Sequence, residues 1–231
     1  MTAIGGPRWQ QSRHVPPSVP QRILYIPVFA DAPIEPVIAS AVAAVAEELA
    51  KQGHHVEPAH RFDLAWPISE IWPIISQTGL AWLLSRHTEV DLGPTFDDMA
   101  RAGRAYSAID YAGALDAIRA VAREFDALFE RFDVLLTPAA PVKPFAVEMN
   151  FPTEINGQTF ENYIEWIAPA FLVTLVSLPA GSVPAGMTAD GLPVGMQVVA
   201  PRFEEPLILR VAKLVQQSSG VGWPPVAVAA Q

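Results

Sequence analysis

Residues 178–217 read LPAGSVPAGMTADGLPVGMQVVAPRFEEPLILRVAKLVQQ. Asp190-Gly191 lies between two β-prone runs, around 181–187 and 194–199. An Asp-Gly pair so flanked is the strongest short-range hairpin signal, because the turn that matches strand twist needs positive φ. Glu204 and Glu205 then lead into a helix through Leu214, their charge suiting a helix N-terminus. Upstream, DVLLTPAAP at 133–141 is a short apolar run bounded by prolines, the pattern of a central strand buried on both faces. Farther upstream, RILYIP at 22–27 predicts another strand, and Pro33 and Pro36 punctuate a turn. Ile38, Val42, Val45 and Leu49 then recur at helical spacing, with Gly53 as a stop signal before an extended HHVEPA at 54–59. Strand, helix and strand in so few residues predict a βαβ unit with parallel pairing. The fold class expected is α/β, a mixed sheet with helices on both faces.

The remaining segments are read by the same rules. Residues 1–20, with four prolines, form an extended lead-in, 21–218 the folded unit, and 219–231 a tail without clear structure. Phe62 to His87 is apolar and contains Trp66, Trp72 and Trp82, with Pro67 and Pro73 starting or kinking it; a helix buried on more than one side is expected. Thr95 and Asp98 make a variant capping box ahead of a long helix. Its apolar stripe runs through Ile109, Ala112, Leu115, Ile118, Ala122, Phe125, Phe129 and Phe132. Between 142 and 170 the pattern is mixed, with a turn at 156–158 and a short helix from Phe160 to Ile167. Thr174-Leu175-Val176-Ser177 is read as strand.

Composition narrows the function. The 231 residues are 51% hydrophobic and 17% charged, which excludes a disordered chain. A formal net charge of −9 with no Lys/Arg cluster opposes a nucleic-acid partner, because such binding draws its affinity from counterion release. The absence of Cys removes disulfides, thiolate nucleophiles and Cys-based metal sites. No run reaches the roughly 18 apolar residues of a membrane span, and the start lacks the apolar core of a signal peptide. A cytoplasmic protein with no membrane partner is expected. A mean hydropathy of +0.24 points to an apolar face covered by something else.

Two stretches, FDVLLTPAAPVKP at 132–144 and above all 178–217, resemble the C-terminal half of the amidase signature family. The signal is a Pro-Ala-x-Ser-Val-Pro strand, a Gly-Leu-Pro-Val-Gly-x-Gln hairpin partner and a Glu-x-x-Leu helix, in order and closely spaced. Residues 22–59 resemble the βαβ segment that follows that family's signature region, and AIGGP at 3–7 the end of the helix and loop before it. The resemblance is weakest at 60–130. It implies amide hydrolysis or transfer by a Ser, a second Ser on a cis peptide bond and a Lys, carried on a Gly/Ser-rich signature in the N-terminal half. That signature is not found in these residues. One departure lies inside the matched region: relatives often read Asn-Leu-Thr-Gly where this chain has residues 174–177.

A serine hydroxyl is a poor nucleophile without an adjacent base and donors for the oxyanion. The sequence holds only three lysines, Lys51, Lys143 and Lys213, and no Gly-rich tract with paired serines. Ser218-Ser219-Gly220 reads as a helix end. Ser182 lacks the flanking glycines of a nucleophile elbow, since Ala180 and Pro184 stand at those positions. His54 and His55 point to opposite faces of a strand, and no carboxylate spacing joins them and His60 into a metal site. Asp97, Asp98 and Asp110 suit helix starts. No catalytic residue, metal or cofactor is therefore expected. In the family, variable segments shape the acyl pocket, which makes Trp72, Trp82, Phe151 and Trp166 the pocket candidates.

The expectation is an amidase-family C-terminal fragment, inactive alone, that takes a small amide substrate if the missing half is supplied. The alternatives are a non-catalytic binding or assembly module, covered by self-association or a partner subunit, and a subunit of an amidotransferase.

Overall fold

The computed structural model describes residues 19–28, 32–59, 62, 68–87, 93–160 and 165–222. Most of the lead-in and tail, together with His60, Trp66 and Pro67, lies outside them. Five strands form one mixed sheet in the order β2-β1-β3-β7-β6. Strand β1 (Arg22–Tyr25), helix α1 (Pro36–Lys51) and β2 (His55–Pro58) make the expected βαβ unit, with β1 parallel to both β2 and β3 (Val134–Pro138). A separate two-stranded ribbon pairs β4 (Glu154–Ile155) with β5 (Gln158–Thr159). The hairpin of β6 (Ala180–Met187) and β7 (Pro193–Val199) turns at Asp190-Gly191, where Gly191 has φ +80°, and β7 runs antiparallel to β3.

One face of the large sheet is closed by α1 and α6 (Glu205–Ser219). Ile38, Val42, Val45 and Leu49 of α1 and Ile208, Val211, Leu214 and Val215 of α6 are all buried against Ile23, Val134, Leu136, Val183, Met196 and Val198. Each such aliphatic side chain contributes about 1.5–3 kcal/mol on burial, so the 3.6-residue period of the two helices fixes which side they cover. Gly53 (φ +94°) and Gly220 (φ +65°) end the two helices in left-handed geometry that only glycine adopts without strain.

The opposite face is covered by α4 (Ala108–Arg131) and α5 (Ala168–Leu175), whose Phe125, Leu172 and Val173, with Val176, pack on Leu24, Ile26, Leu135 and Val199. Behind them lie α2 (Ile68–Arg86) and α3 (Pro94–Gly103). Arg22 pins the β1–β3 register, its N–H donating to Asp133 Oδ2 at 2.8 Å and its Nη2 to Oδ1 at 2.7 Å. Burial pushes the Asp133 carboxyl up, but the Arg22 guanidinium and amide more than offset this and hold it below the ordinary value.

Several expectations are corrected on this second side. Thr95 does not cap: Gly93 is the N-cap of α3 without a side-chain bond, and Asp98 instead pairs with Arg101 at 2.7 Å. The capping box belongs to α4, where Ser107 Oγ accepts from the Asp110 N–H and Asp110 Oδ2 from the Ser107 N–H. The buried stripe of α4 is Ala114, Ala117, Val121 and Phe125, so Ile109 stands 83% exposed. Small residues face inward because α2 lies close, with Ile71, Ile74 and Ile75 packed on Ala114 and Ala117. Helix α2 is not buried on several sides: Trp82 and Leu83 are exposed. Residues 168–175 are helix rather than the strand expected from 174–177, since the chain must return across the sheet before β6. Of the short helix expected from Phe160 to Ile167, Phe160 is not helical, a 3₁₀ turn spans Glu165–Ile167, and 161–164 lie outside the described residues.

Helix α5 stops with Ser177 at φ +55°, the Ser177 N–H donating to the Thr174 carbonyl and Leu178 N–H to Val173. This is the left-handed helix stop that glycine occupies most easily, which explains the Gly at that point of the family pattern. Arg202 secures the same corner, donating to the Val176 carbonyl at 2.9 Å and to Asp126 at 2.7 Å.

Candidate functional site

The chain leaves β1 toward β2 on one side and reaches β3 on the other, so the carboxyl ends of β1 and β3 flank a topological switch point, where open α/β sheets form ligand crevices. A small crevice of about 10 Å³ lies there, lined by Pro27, Val28, Ala32, Pro33, Ile34, Thr137, Pro138 and Pro141. It is narrow and almost wholly apolar. Its rim is fixed by Glu35, whose N–H donates to the Pro141 carbonyl at 2.8 Å and whose Oε2 accepts from the Lys143 N–H at 3.1 Å.

Beside the crevice the second face of the sheet changes character. Leu135, Val199 and Ala180 stand in register across β3, β7 and β6, and the next row on that face is Thr137, Gln197 and Ser182. The helices seal the first row at Leu135 and Val199. Along β6 the side chains of this face, Ala180, Ser182 and Pro184, are all exposed. Thr137 and Gln197 are polar side chains within otherwise apolar strands, and that break in the hydrophobic run was the signal in the sequence that would have found them.

Several hydroxyls and amines among the described residues are engaged structurally. Ser76, Ser85, Ser218 and Ser219 donate back to carbonyls of their own helices, and Ser107 belongs to the α4 cap. Lys51 Nζ lies 3.5 Å from Glu48 and Lys143 Nζ 3.8 Å from Asp190, while Lys213 is on the exposed side of α6. Among the described residues no lysine amine reaches a serine, and none gather into a group of three or more His, Cys, Asp or Glu able to hold a metal. His54 does serve the fold: its Nδ1 accepts from the Gln21 N–H at 3.1 Å, and burial, then the neighbouring His55, lower its pKa below the ordinary histidine value. His55 is exposed on the strand's other side.

The four pocket candidates occupy three places. Phe151 and Trp166 share a small cluster with Val142, Ile155 and Phe160, and the Trp166 ring meets Phe145 edge-on at 5.7 Å. The buried Trp166 Nε1 has no hydrogen-bond partner. Trp72 is stacked on Phe171, with centroids 4.1 Å apart, between α2 and α5. Trp82 is 61% exposed under the Arg86 guanidinium. The structure thus brings together two of the four.

Comparison with known proteins settles the family. The model of the Amidase family matches residues 10–209. The chain belongs to the amidase family. Among curated relatives, the A subunit of glutamyl-tRNA(Gln) amidotransferase from Natronomonas pharaonis is 43% identical over 103 residues, which is 43% of this chain and 22% of that protein. Its counterpart in Maricaulis maris is 33% identical over 102 residues, 43% of this chain and 19% of its own length. The matched stretch therefore spans about a fifth of these relatives. Among solved structures, 6-aminohexanoate cyclic dimer hydrolase with bound substrate superposes with a TM-score of 0.75 at 21% identity, over 91% of this chain and 47% of its own. A bacterial aryl acylamidase of the amidase signature family gives 0.73 at 22% identity, over 88% of this chain and 44% of its own. At that identity the likeness is one of fold. The amidase-family chain carries a mixed α/β sheet, and among its described residues no helix is long and apolar enough to cross a membrane.

Proposed function

We propose that this chain is the carboxyl-terminal portion of an amide-hydrolysing enzyme, with residues 21–218 as its folded unit, and that the nucleophile and its proton relay come from polypeptide outside these residues. On its own the chain does not hydrolyse amides. The observation that carries this reading is the bonding of its hydroxyls and amines: Lys51 and Lys143 face carboxylates, and Ser76, Ser85, Ser218 and Ser219 are bonded to carbonyls of their own helices. Binding alone leaves an amide carbonyl with no attacking group and no acid for the departing nitrogen. What the chain contributes is the crevice at the ends of β1 and β3 and an aromatic wall built around Phe151 and Trp166. A small amide is the substrate class.

Release of ammonia from a panel of simple amides by the purified chain tests the reading. No turnover is expected above a buffer control. Turnover abolished by replacing Lys51, Lys143 or Lys213 with Met overturns it.

A second reading is favoured by the curated relatives, which belong to amidotransferases: the chain works within an assembly that moves ammonia onto a carboxyl group. The net charge of −9 argues that any nucleic-acid contact would be made by another component.

A further inference from the structure

We propose that His54 is a proton-operated latch at the start of the sheet: in its neutral form it holds residues 19–21 against the head of β2, and protonation lets them go.

The latch is built around Gln21, a polar residue only 5% exposed. Its carbonyl accepts from the His55 N–H at 2.9 Å, where β2 begins. Its Nε2 donates to the Val19 carbonyl at 2.7 Å, folding the side chain back over the segment that enters β1. Its N–H donates to His54 Nδ1 at 3.1 Å. The first two bonds are indifferent to pH, because amide groups do not titrate. The third is not. A backbone N–H can only donate, so Nδ1 must present its lone pair and the ring proton must sit on Nε2. An imidazolium carries N–H on both nitrogens. It sets one donor against another and leaves a buried backbone N–H without an acceptor, so either the ring swings out or residues 19–21 lift away.

The surroundings leave room for that movement. His54 lies along an open groove of about 670 Å³, shared with Arg22 of β1, His55 and Glu57 of β2, and Arg131 at the end of α4. Arg22 is paired with Asp133 at 2.7 Å, Arg131 with Glu57 at 3.2 Å and, in the last turn of α1, Lys51 with Glu48 at 3.5 Å. Each of these carboxylates is thus already held by an arginine or lysine. Among these described groups only the two histidines change charge in the range of pH 5.5 to 7.5. Burial and the neighbouring His55 both disfavour a charge on His54 while the latch is closed. Proton uptake therefore drives opening instead of being absorbed in place. A ring freed into water titrates near about 6.5, so the open population rises about tenfold from pH 7.5 to 5.5. Opening stays local. Ile23 and Tyr25 are buried under α1 and α6, and Leu24 and Ile26 under α4 and α5, which keeps β1 in the sheet when residues 19–21 are released.

The experiment records nitrogen-15 NMR spectra and amide hydrogen exchange of the full 231-residue chain at pH 7.5 and 5.5, with and without low urea. At pH 7.5 the His54 ring is expected to show a bare Nδ1 and a protonated Nε2. The Gln21 amide, corrected for the intrinsic pH dependence of exchange, loses about tenfold of its protection on acidification and ignores low urea. Ile26, whose N–H donates to the Leu136 carbonyl, stays better protected by about tenfold or more and responds to urea, because it is released only with the sheet. In His54→Asn the Gln21 N–H keeps an acceptor that does not titrate, and its acid response disappears; His55→Asn, which removes the neighbouring charge, retains it. The proposal is overturned if Nδ1 is protonated at pH 7.5, if His54 titrates while the protection of Gln21 stays constant, or if His54→Asn keeps the response. It is overturned as well if Gln21 and Ile26 exchange at one rate at both pH values, since the bond would then be part of global stability alone. The wild-type comparisons decide between these outcomes even where the variant fails to fold.

Discussion

The two faces of one sheet are closed to different extents. Under α1 and α6 the apolar side chains of all five strands or their flanks are met by helices whose buried positions recur at 3.6-residue period. Under α4 and α5 the Leu135–Val199 row is covered, the next row is polar and runs from the buried Thr137 to the exposed Ser182, and the outer pair α2 and α3 leaves Trp82, Leu83 and Phe96 exposed. Gln77 Oε1 and Thr78 Oγ1 are buried in α2 without a partner, a cost that the first face nowhere shows among its described residues. The first face reads as a finished core. The second is covered less completely among the described residues, and the contrast teaches that one sheet can carry a closed apolar core on one face and a mixed, partly exposed one on the other.

Substitutions sharpen or break this contrast. The largest effect is expected from Phe125→Ala, which empties the one fully buried aromatic joining α4 to the sheet and should destabilise by about 3–5 kcal/mol in urea denaturation. A loss below about 1 kcal/mol would mean that the second face is loose throughout. Gly103→Ala comes next. A Cβ there would collide with the Gln77 backbone, where α3 crosses α2, and because backbone cannot swing aside a cost of about 1–3 kcal/mol is expected. If the midpoint does not move, the α2–α3 pair contributes nothing to global stability. Ser107→Ala removes the cap of α4 and should cost about 1 kcal/mol. In the other direction, Ser177→Gly relieves a left-handed φ and should raise the melting temperature, by the equivalent of about 1 kcal/mol; a fall would show that the Ser177 side chain does more than end α5.

The smallest effect concerns the amino-terminal edge of the sheet. His54 is held below the ordinary histidine pKa by burial and by His55. The unfolded chain therefore takes up a proton before the folded one. Stability is unaffected above the unfolded value of about 6.5 and is lost as pH falls through it toward the folded value. Urea midpoints at pH 7.5 and 5.5 should show this loss, and His54→Asn, which keeps an acceptor for the Gln21 N–H but does not titrate, should flatten it.

How much of this could be read in advance depended on what decides each feature. Ile38, Val42, Val45 and Leu49 were legible as a buried stripe because water alone sorts the sides of an isolated helix against a sheet, and all four are at most 3% exposed. The stripe of α4 was not, because choosing Ala114 and Ala117 over Leu115 and Ile109 depends on how closely α2 approaches. The same holds for 174–177, whose apolar residues suit a strand or a buried helix equally until the path back to β6 is known. At the site, the aromatic candidates were chosen by type, and type does not specify that Phe151 and Trp166 meet while Trp82 faces solvent.

The sequence by itself determined the family, the βαβ unit, the Asp190-Gly191 hairpin and the scarcity of lysines from which a base might be drawn, since periodicity, turn chemistry and composition are local properties of a chain. Only the tertiary structure decided that β6 is the last strand of the sheet among the described residues and that Thr137, Gln197 and Ser182 line up across three strands. Register and edge position arise from contacts between residues far apart in sequence, and no local pattern encodes them.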